Sequence, residues 1–290
     1  MDLGLLLSLL AGSRGPATKF VPAQSAKSVV NEQSLVLVCF SYSNDFSLLS
    51  VSLDSLQRSC GHLDFDYVLV SDRKAPFTQN QLSFLERKLG RAIRHETTPF
   101  FHGRRGVRVF LNELAIFQRL GSALNPRAWI TKIDSDLLFL NPEYFEFLRS
   151  DRENDQVFQD VRTTLPEPAR SWPSYSQGGC YSFRAGLFNT ARQHSALYSF
   201  VAAFWEFAKK GKIFGYCNLA EDFLVYYFLS RFAEFPLNIT FFVPCPFRRQ
   251  PGSIDNPRFP SVMHFERCSH EMERYYADFI SKTTVGRVVG

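Results

Sequence analysis

WITKIDSDLLFL, residues 129–140, is the stretch that decides the fold of this chain. Its first five residues are rich in β-branched and aromatic side chains and have the length of a strand. Asp134 and Asp136 follow at the carboxyl end of that strand, and they point the same way because side chains alternate with period two. Such neighbouring carboxylates repel each other unless a divalent cation offsets their charge, and their oxygens suit Mg²⁺ and Mn²⁺. The alternative interpretation is an aspartate pair that only ends a strand and caps the next turn.

Strands and helices alternate ahead of this segment. Residues 35–40 form a continuous apolar run, typical of a buried parallel strand. A helical pattern spans residues 48–56, a second strand spans 67–70, and a helix opens at Thr78 and ends at Gly90. This order predicts an α/β fold with a doubly wound, mixed sheet flanked by helices in a single domain. The ligand crevice of such a sheet lies at the carboxyl ends of its strands.

Further elements follow from local signals. A helix is predicted over residues 107–120, and Asn141 and Pro142 predict a helix with Asn as N-cap and Pro at its first position. The later landmarks are two helices and one strand, predicted at residues 191–209, 219–232 and 262–265.

Composition excludes several classes of protein. The chain has 290 residues, 45% of them hydrophobic and 15% aromatic, so it can build a substantial core. Its 30 phenylalanines indicate a packed interior, which disfavours a disordered protein or a nucleic-acid partner. The net charge of +5 includes short clusters such as Arg104-Arg105 and Arg248-Arg249. These clusters suit a small anionic ligand or membrane headgroups, and the alternative is scattered, solvated charge.

Cysteine usage and the N-terminus bear on location. The six cysteines are dispersed without a C-x-x-C pair, which predicts reduced thiols in a cytoplasmic protein. Residues 1–11 are apolar but shorter than the ~20 residues that span a bilayer. Asp2 stands where a signal peptide has Lys or Arg. We expect a short helix that docks on the domain, on a partner or peripherally on a membrane surface, and a weak signal peptide is the alternative.

Four motifs follow one another along the chain: Ser43-Asn44-Asp45, Asp134-Ser135-Asp136, Gly178-Gly179 and Val262-Met263-His264-Phe265. Their order resembles that of the GT-A fold glycosyltransferases, most closely the group that includes glycogenin. The resemblance covers roughly residues 35–265 and rests on motif order. It implies, in turn, a nucleotide-binding loop, a metal-binding D-x-D motif, a loop near the donor sugar and a histidine that completes the metal site. For His264 the alternative is an ordinary buried or hydrogen-bonded histidine.

The resemblance implies a metal-dependent glycosyltransferase that moves a hexose from a nucleotide-diphosphate donor, most commonly a UDP-sugar, to an acceptor hydroxyl. Mn²⁺ or Mg²⁺ would stabilise the leaving diphosphate as a Lewis acid. The acceptor is a carbohydrate, lipid or protein. The expected metal ligands are Asp134, Asp136 and His264; the expected donor-binding residues are Ser43, Asn44, Asp45, Asp72, Arg108, Asp134, Gly178 and Gly179. The expected segments are an N-terminal helix and linker (1–33), the GT-A-like domain (34–266) and a C-terminal helix or tail (267–290).

Two departures from the group's pattern affect the mechanism. Glu113 is the nearest match where the group offers a lysine to the donor, so Arg104, Arg105 or Arg108 is expected to supply positive charge. Asp222 follows Glu221 where the group has glutamine after its acidic residue. Such an acidic pair resembles inverting enzymes, in which the aspartate is the general base, or it merely favours the helix dipole.

Asp222 and Gln177 are therefore the candidate catalytic residues. Gln177 lies with Trp172 and Tyr175 in a Pro-containing loop, which forms either an acceptor wall or part of the core. Motif order favours retention of the anomeric configuration, with inversion left open.

Three other functions are alternatives to a glycosyltransferase. A phosphatase that uses D-x-D as nucleophile and acid has this motif on an early strand, whereas several elements precede Asp134. A nucleotidyltransferase lacks support because no glycine-rich basic loop follows the first strand. A degenerate GT-A domain that serves as a binding or scaffolding module is the non-enzyme alternative, against which the intact Asp134, Asp136 and His264 argue.

Overall fold

A computed structural model describes the chain over residues 34–98, 107–158, 179–188, 225, 228–229, 232–239, 242–243, 259–265 and 269–286. Within these ranges two sheets and five helices of eight residues or more are formed. The N-terminal segment 1–33 and most of the predicted helices at 191–209 and 219–232 lie outside the described residues. The predicted domain boundaries stay predictions.

The main sheet has seven strands in the order β3-β2-β1-β4-β7-β6-β8. Strands β1 to β4 are parallel, β7 is antiparallel to β4 and to β6, and β8 is parallel to β6. The sheet is therefore mixed, as predicted. The strands are β1 (Leu35–Ser41), β2 (Asp66–Asp72), β3 (Arg94–Thr98), β4 (Trp129–Ile133), β6 (Gln156–Phe158), β7 (Cys180–Arg184) and β8 (Pro236–Asn238).

A second sheet contains three short strands. The D-x-D turn connects β4 of the main sheet to β5 of this second sheet. The strand order of the second sheet is β5-β10-β9, with β10 antiparallel to β5 and parallel to β9. The strands are β5 (Leu137–Phe139), β9 (Phe242–Val243) and β10 (Val262–His264). The helices are α1 (Phe46–Cys60), α2 (Gln79–Leu89), α3 (Val107–Ala123), α4 (Glu143–Ser150) and α5 (Ser269–Gly286).

Helices cover both faces of the central strands. Leu37 and Cys39 of β1 belong to the same core cluster as leucines of α1 and α2. Phe40 points to the opposite face, because strand side chains alternate, and packs edge-on against Phe117 of α3 with ring centroids 5.6 Å apart. All residues of β1 and β4 are consequently buried, which explains the continuous apolar run at residues 35–40 of β1.

Local signals place most helix ends correctly. Thr78 caps α2 with Gln81 in a reciprocal capping box, and Gly90 ends the helix in the left-handed region at a φ of 71°. The prediction for α4 was one residue early: the helix begins at Glu143, and Pro142 occupies the N-cap position. Asn141 still caps this end, because its Oδ1 accepts the Glu143 backbone N–H at 3.1 Å.

The short strand β3 was not predicted. Its sequence, Arg-His-Glu-Thr-Thr over residues 94–98, shows no apolar run, because an edge strand buries little of its surface. Its place is fixed by parallel pairing with β2 and by ion pairs of Glu96 with Arg94 and with Arg119 of α3. Non-local contacts therefore decide this strand.

Arg184 of β7 contacts the segments at the end of β4 that is remote from the D-x-D motif. Its guanidinium lies 3.9 Å from the centre of the Trp129 ring system. It donates to the carbonyl oxygens of Arg127 at 2.5 Å, Asp151 at 2.7 Å and Asn154 at 3.2 Å. Burial lowers the pKa of Arg184 to about 10, so the guanidinium remains charged near neutral pH. This side chain fixes the turns that precede β4 and β6.

Candidate metal centre

The D-x-D turn lies at the carboxyl edge of the main sheet, where the strand order changes direction. β1 has β2 on one side and β4 on the other, so the chain winds both ways from this point. Ligand crevices of open α/β sheets form at such switch points. Asp134 follows the last residue of β4, and its backbone N–H donates to the carbonyl of Gly179 at 2.9 Å. Gly179, one of the two glycines predicted to lie near the donor sugar, is therefore beside the D-x-D motif.

Three side chains form a cluster in which each offers one metal-ligand atom. His264 Nε2 lies 3.2 Å from Asp136 Oδ1 and 4.0 Å from Asp134 Oδ2. All three ligand atoms lie within 4.8 Å of one another. Two carboxylate oxygens and one imidazole nitrogen at this spacing fit a divalent cation such as Mn²⁺ or Mg²⁺. The sequence-predicted trio is thus brought together by the fold.

Strand pairing explains how His264 reaches the two aspartates across 128 residues. β10 pairs antiparallel with β5, and this register sets His264 opposite Leu137, the residue after Asp136. The Phe265 backbone N–H also donates to the Asp136 carbonyl at 3.0 Å. At the other end of β10, Ser261 Oγ donates to Asn141 Oδ1 at 2.8 Å. Both ends of the short strand are therefore fixed, which holds the imidazole at the turn.

The metal cluster is partly closed to solvent. The side chain of Asp136 is 6% exposed, that of His264 18% and that of Asp134 30%. Burial raises the pKa of the Asp134 carboxyl; Lys132 opposes that shift, Asp136 adds to it, and His264 opposes it. A cation bound between the carboxylates would favour their charged forms. Asp134 is the most exposed of the three ligand side chains.

Lys132 is a residue of this centre that the sequence analysis did not single out. Its side chain is 3% exposed, and its Nζ lies 2.6 Å from Asp134 Oδ1. The spacing of the sequence already pointed to this lysine: residues 132, 134 and 136 alternate with period two, so Lys132 is expected on the same side as the two aspartates. A buried lysine in an apolar strand is costly without a partner, and Asp134 provides one.

The loops after β1 and β2 meet beside this edge. Ser43, Asn44 and Asp45 form one turn of 3₁₀-helix directly after β1. The Ser43 backbone N–H donates to the Ala75 carbonyl at 3.0 Å, which joins the two loops. Asp72 is buried, and its Oδ1 accepts the Lys74 backbone N–H at 2.8 Å. The predicted nucleotide loop therefore lies at the carboxyl ends of neighbouring strands, while Asp72 also shapes its own turn.

Several predicted residues lie outside the described part of the chain. They include both catalytic candidates, one glycine of the sugar loop and two of the arginines: Gln177, Asp222, Gly178, Arg104 and Arg105. Arg108 lies in α3, but its side chain is not among those described. Glu113, at the position where the resembled group has lysine, is buried in the same helix. Their predicted roles stay predictions.

The described architecture defines a class: it is a GT-A-like α/β fold, as the motif order predicted. The galactosyltransferase LgtC, in a complex with donor and acceptor sugar analogs, is similar with a TM-score of 0.56 and 13% identity. That similarity covers 85% of this chain and 95% of LgtC. The glycosyltransferase GlyE of Streptococcus pneumoniae is similar with a TM-score of 0.51 and 10% identity, over 88% of this chain and 64% of GlyE. No protein-family model and no curated protein sequence matches the chain.

Two other observations concern the thiols and the helices. Cys39, Cys60 and Cys180 are buried and free, and burial raises the pKa of the first two thiols to about 12, so they are unreactive at neutral pH. The structure describes these three as free thiols, and the predicted redox state of the cysteines stays a prediction. Among the described residues, the helices are too short or too polar to cross a membrane.

Proposed function

We propose that the chain is a metal-dependent glycosyltransferase that moves a hexose from a nucleotide-diphosphate donor, in first place a UDP-sugar, to an acceptor hydroxyl. One observation carries the proposal: Asp134, Asp136 and His264 converge at the carboxyl edge of a GT-A-like sheet. A scaffold has no need of three convergent ligand groups at the ligand crevice of its fold. The free, buried cysteines support a cytoplasmic location.

Different side chains would bind the metal ion and the nucleoside. Asp134 Oδ2, Asp136 Oδ1 and His264 Nε2 would hold Mn²⁺ or Mg²⁺, which supplies Lewis-acid stabilisation of the leaving diphosphate. Ser43, Asn44 and Asp45 would bind the nucleoside, since they follow the strand beside the D-x-D strand. Three protein ligands leave coordination positions for phosphate oxygens, as Mg²⁺-type sites commonly do.

Three further residues would contact the sugars: Gly179 on the donor side, Gln177 between donor and acceptor, and Asp222 on the acceptor side. The Gly179 carbonyl accepts the Asp134 backbone N–H, which supports a position for Gly179 beside the donor sugar. Gln177 would contact the sugar or the acceptor, and Asp222 would orient the acceptor hydroxyl. We propose retention of the anomeric configuration, because the motif order is that of the glycogenin-containing group.

A turnover assay tests the function. The purified chain is incubated with Mn²⁺, a panel of UDP- and GDP-sugars, and sugar, lipid and peptide acceptors, and both diphosphate release and glycosylated product are measured. We expect transfer from one donor, and its loss with EDTA and its return with added Mn²⁺. Metal-dependent hydrolysis of p-nitrophenyl phosphate without any sugar transfer would favour the phosphatase. Donor binding without transfer to any acceptor would favour the binding module.

Asp222→Asn tests the stereochemical part of the proposal. Under retention we expect turnover to survive and the KM for the acceptor to rise about tenfold, because one acceptor contact is lost. Glu221→Gln removes the neighbouring charge and serves as the matched control. A fall in kcat of about 10²–10⁴-fold at unchanged donor affinity would instead make Asp222 the general base of an inverting enzyme. The anomeric configuration of the product, read by NMR, decides independently.

A further inference from the structure

Lys132 brings a buried positive charge to the edge of the metal centre. Its Nζ lies 2.6 Å from Asp134 Oδ1, while Oδ2 of the same carboxylate faces His264 Nε2 at 4.0 Å. The lysine thus binds one oxygen and leaves the other directed at the cluster. Lys132 also approaches the ring of Tyr181, its register partner on β7, at 5.9 Å from Nζ to the centroid. The contacts with Asp134 and Tyr181 keep the ammonium in place.

Lys132 reduces the net negative charge of the metal site. Asp134 and Asp136 carry one negative charge each, a metal-binding imidazole is neutral, and Lys132 returns one positive charge, so the four side chains together carry one net negative charge. A divalent cation is then left with excess positive charge in a partly buried site, where Coulomb interactions are strong. A nucleoside diphosphate brings the missing negative charge.

We infer that Lys132 makes the metal site depend on the diphosphate: the cation binds weakly alone and tightly only together with the nucleotide. This inference rests on the proposed function and adds a residue and an order of assembly to it. The physical basis is that Lys132 repels the cation and attracts the diphosphate, so it couples their binding. By linkage, each ligand then raises the affinity of the protein for the other by the same factor.

The test uses Mn²⁺ as probe, with UDP, GDP and inorganic pyrophosphate as diphosphates. Titration of the wild-type chain, followed by calorimetry and by the electron paramagnetic resonance of free Mn²⁺, gives the metal affinity with and without each diphosphate. We expect at least one diphosphate to tighten Mn²⁺ binding about a hundredfold or more. Wild-type Mn²⁺ binding that is equally tight with and without all three diphosphates would overturn the inference, and this measurement requires no variant.

Lys132→Met supplies the second arm, since methionine fills a similar volume without charge. We expect Mn²⁺ alone to bind about tenfold more tightly than in the wild type, and the enhancement by the diphosphate to shrink by a similar factor. Lys132→Arg keeps the charge and should behave as the wild type. Thr131→Val, a change on the same strand whose hydroxyl contacts Ser182 Oγ at 2.7 Å, controls for a disturbed strand. Circular dichroism confirms that each variant is folded.

The outcomes separate the inference from the proposed function. Equal or weaker binding of Mn²⁺ alone by folded Lys132→Met overturns the inference, and the metal site and the glycosyltransferase function then still stand. No Mn²⁺ binding by the wild-type chain, even with every diphosphate present, overturns both. Tighter Mn²⁺ binding in Lys132→Met but not in Thr131→Val or Lys132→Arg supports the charge role of the lysine.

Discussion

Asp136→Ala is expected to abolish Mn²⁺-dependent binding of the nucleotide-sugar donor and leave the fold intact. Asp136 is the most buried of the three ligand side chains, at 6% exposure, and its Oδ1 lies 3.2 Å from His264 Nε2. Loss of groups that only support a metal ligand commonly costs 10–100-fold in affinity, so loss of the ligand itself should cost at least about a hundredfold. Calorimetry of UDP-sugar binding with and without Mn²⁺ measures the effect.

Ser135→Ala is the matched control for this prediction. Ser135 lies in the same turn and is also buried, but it brings no carboxylate to the cluster. We expect Ser135→Ala to keep metal-dependent donor binding within a few-fold of the wild type. Unchanged Mn²⁺-dependent affinity in folded Asp136→Ala would remove Asp136 from the metal site and with it the main support for the proposed function.

Arg184→Met is expected to lower the free energy of unfolding by about 3 kcal/mol, with no direct effect on the metal centre. Methionine retains apolar contact with Trp129, but three backbone carbonyls lose a charged donor. Hydrogen bonds to charged groups contribute about 1.5–3 kcal/mol each, and the sum is reduced because water reaches some of the freed carbonyls. Urea denaturation measures the change through the midpoint at constant slope.

Arg152→Met provides the comparison, because Arg152 is exposed and lies on the same side of the molecule. Its effect should stay within about 0.5 kcal/mol of the wild type. Mn²⁺ binding of Arg184→Met, measured well below its unfolding midpoint, should match that of the wild type, since the two sites lie at opposite ends of β4. A stability loss no larger than that of Arg152→Met would contradict the clamp role of Arg184.

Together, these substitutions separate stability from ligand binding. Asp136→Ala should impair donor binding in a folded chain, and Arg184→Met should weaken the fold while the remaining folded molecules bind metal. The separation is expected because the metal-ligand cluster follows the carboxyl end of β4, whereas Arg184 contacts Trp129 at the other end of this strand.

Local patterns in the sequence were sufficient for the strands and helices with strong signals. β4 was predicted because four of its five residues are apolar or β-branched, Lys132 being the exception, and the strand is buried along its whole length. The limits of α2 followed from Thr78 and Gly90, whose capping geometries involve only neighbouring residues. The two aspartates were found by their spacing, since period two depends on the backbone alone.

Tertiary structure alone decided the contacts between distant segments. The sequence suggested that His264 meets the aspartates, but its position depends on the pairing of β10 with β5. The polar strand β3 depends on its pairing with β2 and on the ion pairs of Glu96, which no local pattern predicts. The spacing of Lys132 and Asp134 is local, but the burial of this ion pair depends on the packed sheet. Alternation and capping are set within a few residues, whereas register, burial and the charge of a site depend on which segments the folded chain brings together. For that reason the sequence determined the metal-ligand candidates, whereas only the tertiary structure showed that a buried lysine contacts one of them.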